Sequence, residues 1–162
     1  MRIGVIGAGA IGRCLVEAVR AGQAGEHRVV VVAARSPERA LPGVPFTTDP
    51  LSLPRYGAEL AVEAASQAAV RDYAIPLLAA GLDVLVMSVG ALADPAFAAR
   101  VRDAARHAGR RVYIPSGALG GLDALKAGLL AGLEAVELTS TKPPAALEGA
   151  PYFAEHPVAW ET

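Results

Sequence analysis

Short apolar runs alternate with amphipathic stretches along most of this chain. Residues 2–6 (RIGVI) predict a strand, and residues 10–21 a helix with Ile11, Leu15, Val16 and Val19 at helical spacing. The unbroken run at 28–34 (RVVVVAA) fits a parallel strand buried on both faces. Residues 35–57 are proline-rich and weakly periodic, which predicts a loop with a short strand near 44–47. Strands follow at 59–65, 82–88 and 110–116, and a last one at 135–141. Helices fall between them over 67–81, 94–108 and 119–132. Pro76 should kink the first of these, Gly81 should stop it, and Asp94 and Pro95 should open the second. Strands separated by helices predict an α/β fold: a Rossmann-type doubly wound parallel sheet with right-handed crossovers.

From Lys142 the pattern is lost. The stretch KPPAALEGAPYFAEHPVAWET holds four prolines and places Trp160 two residues from the end. It reads as a chain cut at the start of something larger. The expected division is a dinucleotide-binding domain over 1–117, then the beginning of an incomplete second α/β domain over 118–162.

Composition narrows the function. Of 162 residues, 53% are hydrophobic and 19% charged, so a packed core is available. The net charge of −1 offers no basic face for nucleic acid or an anionic membrane. No apolar run approaches the roughly 18 residues of a membrane span. Cys14 is the single cysteine, which leaves no disulfide framework and fits a cytoplasmic setting. Inside the first helix it reads as a small core residue. No histidine or carboxylate cluster suggests a metal.

Gly7-Ala8-Gly9-Ala10-Ile11-Gly12 matches G-x-G-x-x-G, between a predicted strand and a predicted helix. Gly7 permits the turn, Gly9 admits a pyrophosphate, and Gly12 lets the helix pack on the strand. The amides of Ala10, Ile11 and Gly12 then face the phosphates at a positive helix end. This points to NAD or NADP. The acid usually found about 20 residues on is replaced by Arg35-Ser36. Arg35 can pair with a 2′-phosphate and Ser36 can add a hydrogen bond, which favours NADP; Arg35 as a solvated charge or an adenine-stacking group is the alternative. In open α/β sheets ligands lie past the carboxyl ends of strands, which brings in Ala65, Ser66, Ser88, Val89 and Ser116-Gly117-Ala118. Ser66 serves equally well as a helix cap. Glu63, a carboxylate within a buried strand, either holds a neighbouring loop or touches ligand.

The blocks EAASQAAV (63–70), VMSVGALAD (86–94), PSGALGGLDAL (115–125) and TKPP (141–144) together resemble the L-aspartate dehydrogenase family. The resemblance runs to about Pro144. It implies an NAD(P)-dependent enzyme that oxidises aspartate to iminosuccinate, with a Rossmann domain and a C-terminal α/β domain for substrate and dimer contacts. It also implies that Ala118 contacts the cofactor near the nicotinamide; the turn at 117–121 could instead simply lead the chain onward. The expected partner is a small amino-acid or oxo-acid substrate, with a second copy in a homodimer as the further candidate. The family is longer than this chain. Its nicotinamide-side asparagine and acid/base histidine match segments past residue 162, so no catalytic residue is assigned here. His27 and His107 fall toward the wrong edge of the sheet, and His156 lies in the tail. Lys142 can hold a substrate carboxylate or can be a solvated strand-end charge. A non-catalytic NAD(P)-binding module and a homoserine dehydrogenase-like reductase are the rival readings.

Overall fold

In the computed structural model, which describes residues 1–116, 121–139, 141–144 and 156, the apolar runs of the first 116 residues become strands and the amphipathic stretches helices. The chain divides into two compact units, Met1–Ala118 and Leu119–Thr162.

The first unit contains β1 (Arg2–Ile6), α1 (Ala10–Arg20), β2 (Arg28–Ala33), β3 (Phe46–Thr47), β4 (Leu60–Glu63), α2 (Gln67–Ala79), β5 (Asp83–Val86), α3 (Pro95–Ala108) and β6 (Val112–Tyr113). Among the described residues these strands form one six-stranded sheet in the order β3-β2-β1-β4-β5-β6. Every pairing is parallel. The order reverses between β2-β1 and β1-β4, which opens a crevice above the carboxyl end of β1.

Alternation along the strands feeds two cores, one on each face. Ile3 and Val5 join Val16, Val19, Val32, Leu41 and Val62 beneath α1. Ile6, Val31, Ala33, Val84 and Val86 face α2 and α3, packing with Val70, Leu77, Leu78, Phe97 and Val101. A 3-10 segment, Pro50–Tyr56, brings Leu53 against Gly4, where any Cβ would meet the leucine side chain 2.5 Å away.

Local signals account for the helix ends. Asp94 caps α3 by accepting from the Ala96 and Phe97 amides at 2.9 and 3.3 Å, with Pro95 in the first turn. α2 is a single helix through the exposed Pro76, which lies within its last turn, and Gly81 (φ 85°) follows its end. Two expectations for α1 need correction. Its buried face is Gly12, Val16 and Val19, while Ile11 is 56% exposed. Cys14 is exposed as well, because two residues past Gly12 is more than half a turn away from the sheet.

The second unit is described only in part. Its described residues contain α4 (Leu122–Leu130), which follows Gly121 at φ 75° and buries none of its residues, and no strand. The strand expected over 135–141 does not form in its described residues, where Val136 and Leu138 are 58% and 70% exposed. β-branched residues favour a strand only when a neighbouring strand supplies the ladder, and the described residues of this unit supply none. No described helix is long and apolar enough to cross a membrane.

Candidate functional site

The turn from β1 to α1 is set by backbone geometry. Gly7 adopts φ 105°, a conformation L side chains avoid. Its amide donates to the Ala33 carbonyl at 2.8 Å, tying the turn to the end of β2. A Cβ there would lie 2.5 Å from the Ala64 carbonyl oxygen and 3.0 Å from the Ala65 methyl. The β1 and β4 turns are therefore in contact. Gly12 is constrained from the other side, because a Cβ would overlap the Gly7 carbonyl oxygen. α1 thus sits on its own entry turn as closely as two backbones permit.

Gly9 is different. It caps α1 at φ −77° and ψ −168°, an extended conformation open to any residue, and a Cβ would meet nothing within 4 Å. The described residues give no steric reason for glycine at this position. No side chain caps α1. The amides of Ala10, Ile11 and Gly12 belong to the first turn, whose donors have no partner within the helix. Arg13 folds back over the turn and donates through Nε to the Ala8 carbonyl at 3.1 Å. Ala10 is exposed. Small backbone, free donors and a positive helix end fit a dinucleotide pyrophosphate.

Arg35 and Ser36 follow β2 and stand at the adjacent corner. Arg35 is exposed and Ser36 half-buried. Ser36 opens a 3-10 turn, Pro37–Arg39. Within it the Glu38 carboxyl is held below its ordinary value, first by its own backbone amide and then by the Ser36 hydroxyl. The corner therefore carries a cation and an anion together, and the Glu38 side of it was not apparent from the sequence.

On the other side of β1 the rim is knit by one carboxylate. Glu63, at the end of β4, is 2% exposed. Its Oε1 accepts from the Ala65 amide (2.7 Å), the Ser66 amide (2.8 Å) and the Ser88 hydroxyl (2.9 Å), and its Oε2 from the Ser88 amide (3.0 Å). Of the two readings open for Glu63, the loop-holding one is realised. Ser66 also acts as a cap, its Oγ accepting from the Ala69 amide at 3.2 Å. Val89 and Ala65 are exposed beside these groups. Gly90 closes the rim onto α2, since a Cβ there would overlap the Gln67 side-chain amide.

The structure thus gathers Gly7, Gly9, Ala10, Ile11, Gly12, Arg35, Ser36, Ala65, Ser66, Ser88 and Val89 along the carboxyl edge of one sheet. Ala118 lies outside the described residues, as does Gly117. Lys142 belongs to the second unit and is exposed. His27 is 3.1 Å from the N-terminal amine and precedes β2, and His107 lies in the last turn of α3; both occupy the amino edge. Among the described residues no three histidine, cysteine or acidic side chains cluster as metal ligands would.

Comparison with known proteins agrees with this geometry. Residues 7–115 match the family described as the homoserine dehydrogenase NAD binding domain. The L-aspartate dehydrogenase of Methanocaldococcus jannaschii is 41% identical over 155 residues, which is 93% of this chain and 58% of that protein. That of Ralstonia nicotianae is 36% identical over 157 residues, 93% of this chain and 59% of that protein. The crystal structure of aspartate dehydrogenase from Thermotoga maritima superposes with a TM-score of 0.62 at 30% identity, over 78% of this chain and 50% of that one. This chain therefore spans somewhat more than half the length of the relatives it matches. The chain belongs to the homoserine dehydrogenase NAD binding domain family, and over that stretch it is similar to L-aspartate dehydrogenases.

Proposed function

We propose that this chain binds NAD or NADP along the carboxyl rim and serves as the cofactor-binding part of an enzyme that oxidises L-aspartate to iminosuccinate. The observation that carries the reading is Gly9: among the described residues nothing requires glycine there, and the space that a Cβ would take suits a pyrophosphate.

Each residue then has a defined task. Gly7 and Gly12 hold the turn and helix in place, and the amides of Ala10, Ile11 and Gly12 bind phosphate oxygens. Arg35 and Ser36 face the adenosine ribose, where Arg35 supports a 2′-phosphate and Glu38 opposes it. Ala65, Ser66, Ser88 and Val89 border the nicotinamide half. The family resemblance adds Ala118 as a contact to the nicotinamide end. The bound cofactor supplies hydride acceptance; the protein's part is to orient it and exclude water. Lys142 holds a substrate carboxylate as a point charge. The proton taken from the substrate amine needs a base near neutral pH, and neither His27 nor His107 stands on the productive edge.

The test is titration of this chain with NADH and NADPH by calorimetry, followed by NADH oxidation with oxaloacetate and ammonia. Binding of at least one cofactor with weak or no turnover is expected. Absence of binding overturns the cofactor reading, and robust turnover by residues 1–162 alone overturns the view that the catalytic base lies elsewhere. Turnover with a homoserine-derived substrate in place of oxaloacetate and ammonia redirects the substrate assignment.

A further inference from the structure

Glu63 does more than fill its place in the strand. A buried carboxylate costs stability unless each oxygen is met by donors, and here four donors meet it. Three of them are backbone amides, which can only donate. They come from two different turns. Ala65 and Ser66 follow β4; Ser88 follows β5, 25 residues further along. The Glu63 side chain therefore sets the spacing of two rim turns that backbone pairing alone leaves independent beyond Glu63 and Met87.

The location gives this clasp a use. The adenosine corner lies past β2, and the pyrophosphate turn lies past β1. An extended dinucleotide that continues along the rim next reaches the turns of β4 and β5. Resting on the cofactor reading above, we propose that Glu63 is a positioning residue for the nicotinamide half of the cofactor. It fixes the Ala65-Ser66 and Ser88-Val89 turns as one floor while touching no ligand itself.

The donor pattern makes the test sharp. Glutamine is close to isosteric, but its amide nitrogen replaces one acceptor with a donor. Placed at the Oε2 position it faces the Ser88 amide; placed at Oε1 it faces two amides. Neither orientation satisfies the set, so Glu63→Gln must part the turns. The readout is the affinity of NADH compared with that of ADP-ribose, which lacks only the nicotinamide. In E63Q the NADH affinity should fall about tenfold relative to ADP-ribose, whose binding stays near the parent value. Ser88→Ala removes the hydroxyl contact but keeps the amide contact, and should show a smaller split in the same direction. In the parent, saturation transfer should reach both nicotinamide and adenine protons; in E63Q the nicotinamide signal should drop.

Equal losses for the two ligands, or no loss for either, overturn the proposal and leave Glu63 a purely structural residue. If E63Q fails to fold, the S88A ratio decides alone. A parent chain that binds ADP-ribose and NADH equally, with no nicotinamide signal, also refutes the proposal while leaving the pyrophosphate site standing. A parent that binds neither ligand removes the cofactor reading and this inference with it.

Discussion

Gly9→Ala should separate folding from binding. The backbone at Gly9 is already in a region that alanine occupies freely, and beyond its chain neighbours the new methyl group meets no atom of the described residues within 4 Å. Reducing the freedom of the unfolded chain stabilises such a variant by about 0.4–1 kcal/mol. Against this, alanine is a poorer N-cap than glycine, which costs on the order of 1 kcal/mol. The two effects nearly offset, so G9A should remain within about 1 kcal/mol of the parent. Binding has no such compensation. A methyl group on the open side of the turn keeps a phosphate away from the first-turn amides. Loss of one or two charge-assisted hydrogen bonds, each about 1.5–3 kcal/mol, corresponds to at least about a tenfold drop in affinity. Gly12→Ala supplies the contrast, because its Cβ runs into the Gly7 carbonyl with backbone on both sides. It should lose about 3 kcal/mol of stability, toward the upper end of overpacking costs. Urea unfolding paired with NADH or NADPH calorimetry measures both quantities. A folded G9A that binds as tightly as the parent would refute the assignment of Gly9 to the pyrophosphate.

Arg35→Asp should weaken NADPH more than NADH, since it removes the cation and adds to the negative charge of Glu38; equal losses in paired titrations would take Arg35 out of 2′-phosphate recognition. Asp94→Ala uncaps α3 and should cost about 1 kcal/mol, seen as a lower urea midpoint at unchanged slope. At the amino edge the Glu59 carboxyl lies below its ordinary value, first because the Arg2 amide donates to it at 2.7 Å and further because the Arg2 guanidinium is 3.2 Å away. A depressed folded value means that this contribution is complete above the ordinary carboxylate range and is lost as pH falls through the depressed value. Glu59→Gln should therefore flatten the acid side of the stability profile, and an unchanged slope in urea midpoints between neutral pH and the acid limb would count against the contact.

The sequence was most legible where one residue type has a single physical reason to be present. The glycine spacing located the first turn, and Asp94-Pro95 located the start of α3, because both depend on backbone geometry within a few residues. Continuous apolar runs located β1, β2, β4 and β5, because a parallel sheet buries both faces. Legibility failed where the answer depends on a partner distant in sequence. Ile11 and Cys14 share α1 with Val16 and Val19, yet the sheet lies under only one side of that helix, and four spaced apolar residues do not say where the stripe ends. Glu63 was conspicuous as an acid in an apolar strand, but its role required knowing that Ser88 lies beside it. The run at 135–141 had a strand's composition without a neighbour to pair with among the described residues of its unit.

The amides of Gly7 and Ala64 donate to the Ala33 and Ile6 carbonyls. The ends of β1, β2 and β4 are thereby fastened to one another by the polypeptide's own hydrogen bonds. A substitution that loosens one of these strand ends should therefore be felt by its neighbours, because the three share their last hydrogen bonds.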